Sequence, residues 1–420
     1  MKYKIVFFSD LIDSGGAGIA TKRIIQCFKN YEIKIYSVKT IKKKRLILKY
    51  LIIKYLSRII KFLITKNNKY HFNFFFNTTV YNLNNLEKDF TNFKPDFIVI
   101  TWVEYLISIE TILKLKEKFN CKIFFVTMDN FTLTGGCRYS NECNNYKIDC
   151  NQCLALKKPF KQIASKNFAR NKKFFKKINP VFMLPSTYSY NFVKEIFPDY
   201  QNIKFKYWPL SLDYEKNHDN EKLNDSFIEE INHIRKKKKI LVCSIQNFDE
   251  PRKGWEYLYY SLINFQNQLN ENEINLHFIF VGNLGKKNKQ KLNKLKISNH
   301  YFDYLKKNRL YEIYKLADFG IVPSVQEWAA ISTNEMMYYG LPVINFDTGS
   351  SQDLIRHDKN GYIIKLKNVD DLSDSLIKIN NMNHEKIKNM HSFTKDFAKL
   401  NFSFEKFKQK LIKIYENSSI

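Results

Sequence analysis

The stretch 320–346, GIVPSVQEWAAISTNEMMYYGLPVINF, sets the reading of the whole chain. Gly320 to Val322 is a short apolar run, Thr333 to Tyr339 has a helical pattern, and Pro342 to Phe346 is a second apolar run. Strand, helix and strand in so few residues argue for an α/β unit with a parallel sheet. The loop before the helix holds Glu327 and the helix itself holds Glu335, with seven residues between the two carboxylates. Ser332 and Thr333 read as caps of that helix. Its unpaired N–H groups would suit a diphosphate.

The alternation extends in both directions. Lys239 to Ile245 reads as a strand, Trp255 to Leu269 as a helix, Leu276 to Val281 as a strand and Leu310 to Ala317 as a helix. Before the polar stretch Glu215 to Lys239 a first series runs through strands at Lys4 to Phe8, Ile33 to Val38, 95–103, 122–127 and 180–186. Helical patterns at Ala17 to Asn30 and Ile107 to Phe119 separate them. The fold class is α/β, with two successive Rossmann-like, doubly wound units. The expected domains are 1–205, 206–395 and a C-terminal helical segment 396–420, in which Phe402 to Tyr415 is amphipathic. No repeat of 20–50 residues is visible, which excludes a solenoid.

Composition narrows the function. The 420 residues include 69 Lys+Arg against 41 Asp+Glu, a net charge of +28, with 44% hydrophobic residues. That is a globular composition. The charge implies polyanionic surroundings or, equally, a genome biased toward Lys, Asn and Ile. No 18-residue apolar run is present, so a transmembrane helix is not expected. MKYKIVFFSD lacks the apolar length and cleavage site of a signal peptide, which places the protein in the cytoplasm. Eight scattered histidines show no metal-binding spacing, so no catalytic metal is expected.

Two further loops carry chemistry. Ser14 to Gly18, SGGAG, follows the first strand and fits either a phosphate at a helix N-terminus or a tight turn without a ligand. It lacks the third glycine of a dinucleotide fingerprint, and the second strand ends in Lys39 rather than an acid, against a nicotinamide dehydrogenase. Pro251-Arg252-Lys253-Gly254 sets two cations beyond the first strand of the second unit, where parallel sheets bind ligands. Such cations can neutralise charge developing on a leaving diphosphate. One of the two carboxylates can then stabilise positive charge on a sugar carbon while the other holds a ribose diol.

With these motifs in hand the chain resembles the GT-B glycosyltransferases of retaining family 4, group 1, in the capsule and lipopolysaccharide assembly branch. The resemblance rests on Gly15-Gly16-Ala17, Thr101-Trp102-Val103, Thr127-Met128-Asp129 before Thr134-Gly135-Gly136-Cys137, Asp249 to Gly254, Glu327 with Glu335, Asp347 to Gly349 and Asn360 to Tyr362. It implies two domains facing a central cleft, with the C-terminal helix crossing back to the first. It implies transfer of a hexosyl unit, without a metal or other cofactor, from a nucleoside-diphosphate sugar to a glycan or lipid-linked acceptor. Glu327 and Lys253 take the catalytic roles. Glu335, Arg252, Asn247, Gly16, Gly15, Ser332 and Thr333 form the donor side, and Asp129, Trp102 and Trp328 the acceptor and sugar side. Two positions depart from the pattern. Asn247 stands where relatives carry an arginine, and Met128 where they carry a histidine. Those departures are what would make the chain a non-catalytic partner of the same fold.

Outside these motifs, Cys137, Cys143, Cys150 and Cys153 leave open a structural zinc, a disulfide or free thiols. Cys27, Cys121 and Cys243 read as core. Residues 42–66 interleave cations with aliphatics, as a helix on an anionic membrane surface or one packed on the first domain would. Lys157 to Lys177 could extend the same basic face. A nucleic-acid-binding protein is suggested by charge alone, and no reading module supports it. Trp102, Trp208, Trp255 and Trp328 all lie in or beside motif segments, Trp328 being the one suited to stacking on a sugar.

Overall fold

The computed structural model describes residues 3–12, 15–67, 69–74, 79–204 and 226–417. Ser14, Trp208 and the expected boundary between residues 205 and 206 lie outside them. The described chain forms two compact units, the second ending at Phe407 and the first regaining the chain from Lys408 onward.

In the first unit β1 (Lys4–Phe8), β2 (Glu32–Tyr36), β3 (Phe97–Ile100), β4 (Lys122–Val126), β5 (Val181–Met183) and β6 (Ile203–Lys204) form one sheet in the order β2-β1-β3-β4-β5-β6. Every neighbour pair is parallel. Ile5 to Phe8 are buried throughout, because helices cover both faces of such a sheet. The order reverses between β1 and β3. Phe8 is level with Ile100 in the ladder, so Asp10 and Trp102 both emerge just past the carboxyl ends of these strands.

The second unit repeats the plan. Strands β7 (Lys239–Asn247), β8 (Leu276–Asn283), β9 (Ser298–Phe302), β10 (Phe319–Val322), β11 (Val343–Phe346) and β12 (Gly361–Ile364) are ordered β12-β11-β10-β7-β8-β9, again all parallel. Its reversal falls between β7 and β10. The core under this sheet includes Trp255, Phe265, Phe278 and Phe280, with Trp255 edge-on to Phe280 at 5.7 Å. Crevices at such reversals are where open parallel sheets bind ligands.

At the end of the chain the helix His384–Phe402 stops at Ser403, and Phe404–Asn417 follows. Tyr415, 1% exposed, stacks on Phe124 with ring centroids 3.9 Å apart and meets Phe28 and Phe97 edge-on at 4.8 and 5.3 Å. This aromatic group fastens the last helix to the first unit's sheet.

Candidate active site

The second unit brings its motifs together at the β7/β10 reversal. Pro251–Lys253 forms one 3₁₀ turn, closed by Gly254 in the left-handed region at φ +72°. A Cβ at Gly254 would stand 1.8 Å from the Pro323 carbonyl oxygen, so only glycine lets this turn lie on the loop after β10. The two loops are also bonded directly, Val325 N–H donating to the Arg252 carbonyl at 2.8 Å.

On that base Lys253 Nζ lies 2.5 Å and Arg252 Nη1 3.0 Å from the same oxygen of Glu327, Oε1. Arg252 also grips Glu250 through Nε at 2.5 Å and Nη2 at 3.2 Å. The three side chains of the central triad are 12–20% exposed. Burial would raise the pKa of Glu327. The Lys253 ammonium and Arg252 guanidinium outweigh burial, with a hydrogen bond from Ser324, and hold its carboxyl below the ordinary value.

The helix Ile331–Tyr338 carries Glu335, which is half-buried. Its N-cap is Ala330, which makes no side-chain cap bond. Ser332 and Thr333 therefore do not cap it, contrary to the sequence expectation: the helix begins earlier, which puts both inside the first turn. Thr333 is buried and its hydroxyl accepts from Asn345 Nδ2 at 2.9 Å. Gly320 permits close packing of this helix on β10, since a Cβ there would lie 2.4 Å from Met336 Sδ.

Two other expectations change. Trp328 is 3% exposed, so its ring is packed away instead of offering a face to a sugar. Asn247 Oδ1 accepts from Asp249 N–H at 3.1 Å and Asn283 Nδ2 at 3.2 Å, fastening the loop after β7 to the end of β8.

The first unit holds a second polar cluster at its own reversal, and sequence reasoning had assigned only part of it. Arg138 is its centre. Nη2 bonds Glu104 Oε2 at 2.7 Å, Nε lies 3.8 Å from Asp129 Oδ2, and the guanidinium stands over the Trp102 ring at 4.4 Å. Asp129 Oδ1 accepts from Phe131 N–H at 2.9 Å. Trp102, Met128 and Asp129 line a recess with Thr101, Thr127 and Thr132. Asp10, just past β1, accepts Glu104 N–H on Oδ2 at 2.8 Å. Its Oδ1 is buried without a hydrogen-bond partner. Burial, and after it the carboxylate of Glu104, push the Asp10 carboxyl up to about 7. The helix Gly15–Cys27 starts at Gly15 with φ +64°, so Gly15 and Gly16 form its first turn instead of a loop before it.

For the four clustered cysteines, whose spacing leaves a zinc, a disulfide or free thiols open, the structure has free thiols. The Cys137 thiol hydrogen-bonds to Cys153, which lowers Cys153 to about 7 and raises Cys137. Among the described residues no three His, Cys, Asp or Glu side chains are placed to hold a metal ion. The spacings of five and six residues wind through the turn Asn145–Lys147 instead of closing a tetrahedral cage. All seven cysteines are free thiols, and Cys27, Cys121 and Cys243 are buried in the core.

Residues 225–397 match the family model described as "Glycosyl transferases group 1", less than half of the chain and nearly all of its second unit. No curated protein matches the sequence. Among solved structures, HepE of Anabaena in complex with UDP-glucose is 12% identical over 99% of both chains, with a TM-score of 0.62. Sucrose-phosphate synthase of Thermosynechococcus elongatus is 11% identical over 99% of both, with a TM-score of 0.63. A glycosyltransferase of Rickettsia africae is 14% identical over 99% of this chain and 98% of that one, with a TM-score of 0.61. The chain therefore has the GT-B fold, and residues 225–397 of its second unit match the group 1 glycosyltransferase model.

Proposed function

We propose that the protein is a retaining glycosyltransferase that moves a hexosyl unit from a nucleoside-diphosphate sugar to a glycan or lipid-linked saccharide. Its setting is cell-surface polysaccharide assembly on the cytoplasmic side. The observation that carries this reading is the convergence of Lys253 and Arg252 on Glu327 Oε1, four residues before an uncapped helix N-terminus. Without a donor the carboxylate satisfies both cations. A diphosphate replaces it there, taking charge from Lys253 and Arg252 and N–H groups from the helix. Those groups supply the positive charge that other transferases draw from a metal. HepE, of the same fold, is known with UDP-glucose, which supports a uridine-linked donor as the first to try.

The chemistry follows from the charges. The acceptor hydroxyl oxygen bonds to the anomeric carbon on the face from which the phosphate leaves. The carbon–oxygen bond to the diphosphate breaks, and the hydroxyl proton passes to the departing phosphate oxygen. Glu327, released from its cations, offsets positive charge at the anomeric carbon. Glu335 holds the ribose hydroxyls. In the first unit Trp102 and Asp129, oriented by Arg138, serve the acceptor and sugar.

Hydrolysis of a panel of UDP- and GDP-sugars tests the assignment. Lys253→Ala and Glu335→Ala should each lower donor turnover at least about 100-fold while circular dichroism stays that of the parent. Full activity in both variants would sink the site assignment.

A further inference from the structure

The helix Lys44–Ile64 presents two unlike faces. Its inner face is narrow: Tyr50, Ile53, Ser57 and Ile64 are buried. The outer face is apolar and uncovered. Leu48, Leu51, Ile52, Tyr55, Phe62 and Leu63 are 49–81% exposed, Phe62 the most. At 100° per residue these positions share one broad arc, so the exposure is a continuous stripe and not scattered singles. At about 1.5 Å per residue it runs for roughly 23 Å. Stripes of that extent on a protein surface mark an interaction site.

Charge identifies the occupant. The helix contains six cations, Lys44, Arg45, Lys49, Lys54, Arg58 and Lys61, and no acid. Arg45 and Lys49 flank the apolar arc on one side, Lys54 and Arg58 on the other. At its far end Lys157 N–H donates to the Ile64 carbonyl at 2.8 Å and Lys157 Nζ to the Leu63 carbonyl at 2.7 Å. That bond adds Lys157 and its exposed neighbour Lys158 to the same margin. A protein partner would need a matching acidic rim around a long apolar groove; a bilayer with anionic headgroups has that order of layers everywhere. Six charges also forbid spanning, and among the described residues no helix is long and apolar enough to cross a membrane.

We propose that Lys44–Ile64 docks the protein on an anionic bilayer surface, its outer face seated at the headgroup–acyl boundary and its flanking cations on lipid phosphates. The inner face gives the docking a use. Ser57 Oγ bonds Tyr105 Oη at 2.9 Å, Tyr105 bonds Glu104 Oε1 at 2.8 Å, and Glu104 holds Arg138. One helix thickness thus separates the lipid from the cluster assigned to the acceptor. The docking itself does not depend on the transfer reaction.

Flotation of the full chain with vesicles tests it, using phosphatidylcholine alone and with about one third phosphatidylglycerol. Binding is expected to the anionic vesicles only, weakening as salt rises from about 0.1 to 0.5 M. The double variant Tyr55→Asp, Phe62→Asp and the double variant Lys54→Glu, Arg58→Glu should each bind at least about 10-fold more weakly. Both should keep the parent's circular dichroism and rate of donor hydrolysis, which separates failed docking from a failed site. Absence of flotation, equal flotation on neutral vesicles, or unchanged flotation of the first variant would overturn the proposal. So would a dimer in sedimentation that this variant turns into a monomer, because a second copy would then be what covers the face.

Discussion

Replacing Asp10 by Asn should flatten the pH dependence of the first unit's stability. The side chain is 4% exposed, with Oδ2 bonded to Glu104 N–H and Oδ1 unpaired. Its folded pKa is pushed by burial and by Glu104 from 3.8 to about 7. Between those values the folded protein holds a proton that the unfolded chain has released, so stability falls as pH rises and levels off above the folded pKa. From pH 5 to 7 the fall is two pH units at about 1.4 kcal/mol each, roughly 3 kcal/mol. Asparagine has nearly the shape of the protonated acid, accepts the same N–H and never ionises. At pH 5 the variant should match the parent within about 1 kcal/mol. At pH 8 it should be the more stable protein by roughly 3 kcal/mol.

Hydrogen exchange of the β1 and β3 amides in urea, read at pH 5, 6, 7 and 8, follows this unit separately from the other. The gap between the two proteins should open below pH 7 and stay constant above it. Parallel profiles would refute the reasoning, because they would mean that Asp10 is ionised in the folded state across the whole range.

Gly254→Ala forces a Cβ to within 1.8 Å of the Pro323 carbonyl at a left-handed φ, so it should destabilise the second unit by about 3 kcal/mol or more. Calorimetry measures that loss, and donor affinity should fall with it as the Arg252–Lys253 turn moves off Glu327. Tyr415→Ala removes a ring stacked on Phe124 and should cost the first unit roughly 3–5 kcal/mol, seen as early proteolysis of the last helix under mild denaturant.

The fold was legible because its central strands are buried on both faces and so appear as mostly apolar runs, Ile5 to Phe8 and Phe278 to Val281 among them. The strands that escaped lie at sheet edges or are very short. β9 reads SNHYF, half-buried along its length, and is defined by its ladder with β8, where His277 Nε2 and His300 Nδ1 lie 2.9 Å apart. β6 has two residues, and β12 follows a tight turn at Asn360. The same distinction holds for the sites. Arg252, Lys253, Glu327 and Glu335 lie in short recognisable motifs. Asp10, Glu104 and Arg138 are joined only by folding, across separations of 94 and 34 residues. One signal for Asp10 was nevertheless available: an acid directly beyond a fully apolar parallel strand stands where such sheets place function. Ser332 and Thr333 read as caps because Ser and Thr at the start of a helix serve equally well inside its first turn, and the helix start at Ile331, after the N-cap Ala330, decides between the two.

The net charge of +28 also acquires a location from these contacts. In the second unit Arg252 and Lys253 are balanced by Glu250 and Glu327. In the first unit Arg138 is balanced by Glu104 and Asp129. Neither cluster carries an excess of cations. The surplus lies instead where no acid accompanies it: the helix Lys44–Ile64 carries six cations and no acid, and the helix Lys161–Ile178 seven and none. On Lys44–Ile64 the cations stand beside an uncovered apolar stripe. An anionic bilayer beneath that helix, as proposed above, would account for their placement.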